Sequence, residues 1–263
     1  MKKLATLCLS LFACFGAAHA QTVLYSQTFD STYADWSLNT SDLGGVTTMT
    51  PNYWIVNSVY TGSAIAPTVT PNEPAGIYGN PESPYLHIRS AVGPANATFN
   101  ATGNHSYTAS LNTPINASAY SNVTLSFWWL CNGNGVTYGR VYFRTSGSAT
   151  AWQQISTMSV PAAALDSYNL HPSGWTQQVI HLDSFDNQAT LEFAFQFHHQ
   201  GLTGSDPSFA VDDVMVTGTP STVTAPVASF TSTSTTACQD GCIAFSSTST
   251  GTIDSVRWDA SPA

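Results

Sequence analysis

Polar and hydrophobic residues alternate most regularly between residues 191 and 198. The odd positions carry Leu191, Phe193, Phe195 and Phe197, and the even positions carry Glu192, Ala194, Gln196 and His198. Because successive side chains of a strand point to opposite faces, this pattern predicts a strand with one apolar and one polar face. Such a strand is typical of antiparallel sandwiches, whereas parallel sheets are buried on both faces.

Similar patterns predict a short strand at the start of the segment 23–36 and further strands at 85–89, 106–111, 122–130, 136–144, 176–182 and 209–217. Turns rich in Gly, Asn, Ser and Pro separate them, and no segment longer than a turn has a helical period. Residues 39–84 are dense in Pro, Gly, Asn and Thr, which favours loops and short strands. The chain is therefore predicted to be all-β, as a two-sheet antiparallel jelly-roll sandwich.

The sandwich is expected to occupy residues 21–218 of the 263-residue chain. Residues 219–226 (TPSTVTAP) have the composition of a linker. Residues 227–263 carry too few apolar groups for a core of their own. They are therefore predicted to be part of an incomplete second domain.

Residues 1–20 have the features of a signal peptide: two lysines, an apolar run and the cleavage motif Ala18-His19-Ala20. Cleavage near Ala20 predicts a secreted or cell-surface protein, and a lipoprotein with Cys14 as the lipidated thiol is the alternative. The apolar run is too short to span a membrane. Without it, four arginines face 15 acids and the net charge is −11, which disfavours nucleic acids and anionic membranes as partners.

Three cysteines remain after removal of the leader. Cys238 and Cys242 are close enough in sequence to form a local disulfide, which an exported protein permits. Cys131 is then predicted to be a free, buried thiol.

Asp212 and Asp213 are adjacent acids inside an apolar run. Neighbouring strand residues point to opposite faces, so one of the two should point inward or lie at the sheet's rim. A carboxylate there is costly unless a cation or hydrogen bonds compensate it. The pair therefore indicates either a divalent-cation site or two solvated acids on an edge strand.

The polar positions of three strands suggest a ligand-binding face. Aromatic rings stack on sugar C–H patches, and planar polar groups bind hydroxyls. If the strands are neighbours, one face would carry Trp128, Tyr138, Arg140, Tyr142, Arg144, Gln196 and His198. The alternative is that this face packs beneath residues 39–84 as a second core layer. His198 and His199 are predicted to be surface or loop residues.

Five segments carry a family resemblance: QTFDSTYADW, TPI with LSFWW nine residues later, YGRVYFRTSG followed by Trp152, WTQQVIHLDSF and FAVDDVMVTG. In this order, residues 23–218 resemble the MAM-like jelly-roll domains of secreted bacterial proteins, a group that includes the cleaved-adhesin domains of gingipains. Residues 227–263 resemble the first half of a PKD domain, although W-D-A-S-P-A stands where that family has W-D-F-G-D-G. This resemblance implies the N-terminal part of an incomplete immunoglobulin-like β domain.

The resemblance implies a structural calcium between the first and last strands of the jelly roll. The matching residues are Asp30 with Asp212 or Asp213. Backbone carbonyls and Asp42 or Asn39 would complete the six to eight oxygens that calcium requires. Gln27 departs from the family, which often has glutamate at that position.

Catalytic motifs such as G-x-S-x-G and H-E-x-x-H do not occur, and the chain has only three glutamates. We therefore expect a non-catalytic adhesion or binding module for an extracellular glycan or protein, stabilised by calcium. The alternatives are an accessory domain of a larger secreted protease or glycosidase, and a structural spacer.

Overall fold

A computed structural model of the chain describes residues 21–62, 69–146, 151–155, 171–221, 227–233 and 244–250. The chain forms two compact units, and residues 21–221 form the larger one. Its strands are β1 (Thr22–Gln27), β2 (Trp36–Thr40), β3 (Asn52–Asn57), β4 (Tyr85–Ser90), β5 (His105–Leu111), β6 (Tyr120–Cys131), β7 (Thr137–Arg144), β8 (Gln153–Gln154), β9 (His171–His181), β10 (Glu192–His199) and β11 (Ala210–Pro220). Over the described residues, the only helices are single 3-10 turns at Asp42–Gly44 and Asp183–Phe185.

The strands pair antiparallel in two sheets, as predicted. The first sheet has the order β3-β4-β11-β6-β9, with β1 also paired to β11. The second sheet has the order β2-β5-β10-β7-β8. This all-β, two-sheet arrangement confirms the predicted jelly-roll sandwich.

The core lies between the sheets and contains the apolar face of β10. Leu191, Phe193, Phe195 and Phe197 are each at most 1% exposed. Phe195 stacks on Trp36 with ring centroids 5.4 Å apart, and it meets Phe127 of the first sheet edge to face at 5.2 Å. The period-two pattern therefore identified the core face correctly. Cys131, a free and buried thiol, belongs to the same core, as predicted.

A second apolar cluster lies outside the first sheet. Tyr60 and Ile77, from the connection between β3 and β4, pack with residues of the sheet itself, namely Tyr85, Leu130, Trp175 and Ala210. Trp128 packs against this cluster. The connection that the sequence predicts as loops thus covers the outer face of the first sheet.

Strand β11 pairs with two strands in succession along one edge. Ala210 and Val211 pair with β4, and Val214 to Gly218 pair with β1. On its other edge β11 pairs with β6 as far as Pro220. The last strand therefore continues past Gly218, where the sequence places the domain boundary.

The smaller unit contributes strands β12 (Phe230–Ser232) and β13 (Phe245–Ser247), which pair antiparallel. Phe230 and Phe245 meet at 5.9 Å and are 59% and 53% exposed. The predicted disulfide between Cys238 and Cys242 and the predicted signal peptide at residues 1–20 lie outside the described residues. Nowhere in the described segments does a helix reach the length and hydropathy needed to cross a bilayer.

Candidate functional site

The two adjacent acids lie on β11 where its pairing passes from β4 to β1. The register with β6 shifts between Asp212 and Met215, which marks a bulge. Asp213 has a φ of 48°, a left-handed conformation that aspartate tolerates better than most residues. Asp212 is fully buried. At the break in strand pairing, Asp212 is therefore buried, and Asp213 departs from regular strand geometry.

Asp30, which follows β1, lies near these acids. A Cβ atom built on Gly79 would lie 2.9 Å from Asp30 Oδ1, so the β3–β4 connection approaches this carboxylate closely. Asp213 Oδ2 accepts a hydrogen bond from the backbone amide of Tyr78 at 2.8 Å. Among the described residues, Asp30 Oδ2, Asp212 Oδ2 and Asp213 Oδ1 are buried without a hydrogen-bond partner. Sequence reasoning therefore identified three acids that lie at one place.

Glu73 is a fourth acid at this place, and the sequence analysis did not single it out. It is only 4% exposed and accepts hydrogen bonds from the Tyr60 hydroxyl and, at 2.7 Å, from Ser83 Oγ. The sequence feature that could have identified Glu73 is that it is the only charged residue in the stretch PTVTPNEPAG. We call Asp30, Glu73, Asp212 and Asp213 the acid cluster.

Burial raises the pKa of Asp212, and the neighbouring charges of Glu73 and Asp213 raise it further. Burial and the charges of Asp30 and Glu73 also raise the pKa of Asp213, against the Tyr78 hydrogen bond, which lowers it. The cluster therefore holds more negative charge than its surroundings stabilise, and a proton or a cation at this place lowers that cost.

Asn39 and Asp42 do not join the acid cluster, which corrects their assignment as candidate calcium ligands. The Asn39 side chain bridges to the backbone of Trp54 in β3, at 2.7 and 3.1 Å. Asp42 lies on the second sheet, where its carboxylate accepts a hydrogen bond from Ser110 Oγ at 2.9 Å. The side-chain amide of Gln27 also has partners elsewhere: its Nε2 atom donates to the Asp35 carboxylate, and its Oε1 atom accepts from the backbone amide of Phe29.

Within the described part of the chain, no three carboxylate, imidazole or thiol groups are spaced as a metal centre. Calcium does not require that, because backbone carbonyls commonly supply several of its ligands. The three unpartnered carboxylate oxygens of Asp30, Asp212 and Asp213 fit a hard cation in this respect.

The predicted polar face exists, but Trp128 is not part of it. Strand β6 belongs to the first sheet, where Trp128 pairs with Asp212 and packs against the outer cluster. The prediction of a shared face was wrong for this residue because alternation within a strand does not reveal which sheet the strand joins. We use polar face below for the outer side of β7 and β10 alone, made of Tyr138, Arg140, Tyr142, Arg144, Glu192, Gln196 and His198.

Strands β7 and β10 are neighbours and place these residues in pairs. The paired positions are Tyr138 with His198, Arg140 with Gln196, and Arg144 with Glu192. The rings of Tyr138 and His198 are 4.9 Å apart. The Tyr142 hydroxyl donates to Gln196 Oε1 at 3.3 Å. The second sheet therefore carries aromatic and planar polar side chains side by side, as predicted.

One side of the polar face is covered. Gln196 Nε2 donates to the backbone oxygen of Leu43 at 3.1 Å, and Thr108 Oγ1 on β5 donates to that of Asp42 at 3.0 Å. The alternative prediction, a second core layer beneath residues 39–84, thus holds at Gln196, which is 3% exposed. On β7, Tyr138 and Arg140 remain half-buried.

The histidine prediction was wrong for His199, which is fully buried. Its Nδ1 atom lies 2.7 Å from Thr137 Oγ1, and its ring lies 5.0 Å from that of His105. Burial and the charges of His199 and His198 lower the pKa of His105 to about 4. His198 is half-buried, and burial followed by the Arg140 charge lowers its pKa.

No protein-family model matches the sequence, and no curated protein matches it. The structure is similar to the K1 cleaved-adhesin domain of Lys-gingipain from Porphyromonas gingivalis W83, with 12% identity over 75% of this chain and 97% of that one and a TM-score of 0.38. A xylan-binding domain from CBM22 matches at 12% identity, 79% and 99% coverage and a TM-score of 0.38. A family 11 carbohydrate-binding module from Clostridium thermocellum, in complex with a β-1,3-1,4-mixed-linked tetrasaccharide, matches at 11% identity, 78% and 100% coverage and a TM-score of 0.36.

Proposed function

We propose that residues 21–221 form a secreted or cell-surface, non-catalytic module that binds a glycan through the polar face and is stabilised by calcium in the acid cluster. The observation that carries the binding proposal is the register of β7 and β10. It juxtaposes Tyr138 with His198 and Arg140 with Gln196. Rings that stack on sugars and planar groups that bind hydroxyls are the two elements of glycan recognition.

The burial of the acids supports a non-catalytic role. Glycoside hydrolysis requires two carboxyl groups on either side of the scissile bond. Asp212, beneath the β3–β4 connection, and Glu73, within that connection, are at most 4% exposed. On the polar face, Glu192 is 3% exposed and paired with Arg144. Carboxylates held in this way do not flank a bound sugar.

For calcium, the residues that would hold the ion are Asp30, Asp212 and Asp213. Each keeps one buried carboxylate oxygen without a partner among the described residues. A bound calcium ion would supply positive charge and oxygen coordination at a place where burial disfavours ionised acids. Its role would be structural, because the cluster joins β1, β11 and the β3–β4 connection.

The binding proposal is tested by titrating the purified chain with soluble glycans, beginning with xylan and β-1,3-1,4-glucan. Tyr138→Ala is expected to weaken binding at least about tenfold, since loss of one ring stacked on a ligand costs on the order of 1.4 kcal/mol or more. Trp128→Ala is the matched control, because that ring packs on the other sheet. Equal losses in both variants, or no binding by the wild type across a glycan array, would contradict the proposal and favour a spacer.

A further inference from the structure

Two arginines lie on the same side of β7 in different electrostatic surroundings. Arg144 Nε forms an ion pair with the Glu192 carboxylate, and its guanidinium lies 4.3 Å from the Trp152 ring centroid. Its charge is thus neutralised within the protein. The surroundings of Arg144 can therefore be compared with those of the other arginine on this strand, Arg140.

Among the residues that the structure describes, Arg140 has no such neutralising partner. Its Nη2 atom donates to the Tyr138 hydroxyl at 2.8 Å, and its guanidinium lies 4.8 Å from the centre of that ring. Among the described residues, Arg140 forms no ion pair, and its Nε atom is buried without a hydrogen-bond acceptor.

The side chains around Arg140 whose pKa its charge lowers are not anionic. The positive charge lowers the pKa of His198, whose neutral form burial favours more strongly. It also lowers the pKa of the Tyr142 phenol, which burial raises. Gln196, opposite Arg140 in the register, is uncharged. The centre of the polar face is therefore cationic, with aromatic and amide groups around it.

This is unexpected in a chain in which 15 acids accompany only four arginines beyond the leader. A half-buried cation with an unsatisfied N–H group costs free energy, and a protein so rich in carboxylates could supply a partner easily. The ion pair of Arg144 with Glu192 shows that β10 does supply such a partner four residues further along β7. The described part of the chain places no counter-charge at Arg140, which fits an anion that arrives with the ligand.

We propose that Arg140 binds the carboxylate of a uronic acid residue, so that the polar face recognises an acidic glycan. This inference rests on the proposed function and specifies its substrate class. The planar guanidinium fork matches a carboxylate in geometry and charge. The half-buried Tyr138, two residues before Arg140 on β7, places aromatic surface next to that charge for the sugar ring.

The overall negative charge of the chain means that an acidic glycan would bind only through a local positive charge. At a formal net charge of −9, or −11 without residues 1–20, the chain repels polyanions in general. Binding of an acidic polysaccharide would therefore depend on the local cation and not on a diffuse basic surface.

The test compares polygalacturonate with its fully methyl-esterified form, which has the same backbone without the charge. Wild-type protein is expected to bind the acid form about tenfold to a hundredfold more tightly, the range for one hydrogen-bonded charge pair. Arg140→Gln should abolish that preference, and Arg140→Lys should retain only part of it, because an ammonium group lacks the planar fork.

Arg89→Gln is the matched control, since it removes the same charge from the first sheet. Arg89 also lies near a tyrosine ring, that of Tyr53 at 5.9 Å, and has a buried, unpartnered Nε atom. The preference for the acid form should survive this change. Loss of the preference in Arg89→Gln as well would overturn the assignment to Arg140.

Comparing the binding of the acid and ester forms by the wild-type protein separates two hypotheses, glycan binding in general and recognition of uronic acid in particular. Equal binding of the acid and ester forms would refute the uronate subsite and leave glycan binding intact. Failure to bind either form, xylan or β-1,3-1,4-glucan would refute glycan binding itself. Dextran sulfate bound as tightly as polygalacturonate, with the same loss in Arg140→Gln, would replace the uronate assignment by a general anion site.

Discussion

Asp213 in the last strand of the sandwich accepts a hydrogen bond from the backbone amide of Tyr78, in the connection that covers the first sheet. The bond joins segments 135 positions apart in sequence. Asp213 adopts a positive φ at this point, and its other carboxylate oxygen is buried without a partner among the described residues. The acid cluster is thus a place where the cover and the sheet are held together.

If calcium occupies the acid cluster, chelation should lower the melting temperature of the chain. Saturating calcium at about 100 times its dissociation constant would contribute about 2.7 kcal/mol of stability. Asp213→Asn should remove most of the difference between calcium and EDTA, because asparagine tolerates the positive φ but lacks the charge. Thermal unfolding by circular dichroism in both conditions measures this.

The control for chelation is Asp183→Asn, since the Asp183 side chain is fully exposed and outside the cluster. This variant should retain the full response to calcium. A wild-type melting temperature that is the same in calcium and in EDTA would eliminate the calcium proposal.

Gly79→Ala should destabilise the cover of the first sheet. Gly79 has a φ of 77°, and a Cβ atom there would lie 2.8 Å from Ser83 Cβ and 2.9 Å from Asp30 Oδ1. Both the backbone conformation and the lack of space oppose the change, so we expect a loss of about 1–3 kcal/mol. Gly44→Ala, also at positive φ but in open space, isolates the conformational part. Equal losses in denaturant titrations would show that the contact with Asp30 contributes nothing.

Gly139→Ala tests the packing of the two sheets. A Cβ atom on Gly139 of β7 would lie 2.5 Å from the ring of Phe209, which is fully buried. Forcing a methyl group into this contact should cost about 1–3 kcal/mol in urea unfolding. Gly135→Ala, in a loop with no atom within 4 Å of the added methyl, should be nearly neutral. A neutral Gly139→Ala would show that β7 and Phe209 are not packed as described.

The buried histidines should contribute a loss of stability in acid, opposed by the acid cluster, where burial and neighbouring charges favour protonated carboxyl groups. Burial lowers the pKa of His87 to about 4, from 6.5 in the unfolded chain. The unfolded state therefore binds the proton more readily, and stability that is complete above pH 6.5 is lost as the pH falls towards 4. The full loss from His87 would be about 3 kcal/mol.

His87→Gln should reduce this pH dependence, since glutamine does not titrate and retains polar atoms for the contact with Asn57, now 3.0 Å from His87 Nε2. The slope should fall and not vanish, because the pKa of His105 is lowered in the same direction. Urea titrations between pH 7.5 and pH 4.5 provide the measurement. An unchanged slope in the variant would contradict the role of His87.

Period-two alternation predicted most of the fold because the sheets meet across a single apolar layer. The strand from Glu192 to His199 shows both the strength and the limit of that argument. Its odd residues form the core as predicted, yet Glu192 and Gln196 on the other face are also buried, under contacts that the pattern does not encode. A polar residue in a strand indicates the face that points away from the core. The contacts of that residue determine whether the face is exposed to solvent.

The candidate sites depended on long-range pairing, and there the sequence was less informative. Asp212 and Asp213 stood out because adjacent acids are rare in an apolar strand. Glu73 reaches them only through the path of the β3–β4 connection, which has no regular period. Trp128 was assigned to the wrong sheet for a related reason, since local alternation does not determine which strands become neighbours.

The pairing of Thr22 with Gly218 brings the first and last strands of the larger unit together. Opposed residues of an antiparallel pair are about 5 Å apart, so a peptide chain can pass into and out of this unit at nearly the same point. The unit could therefore be grafted into a surface loop of an unrelated host without stretching that loop. Such a fusion would display the polar face on a carrier of the experimenter's choice.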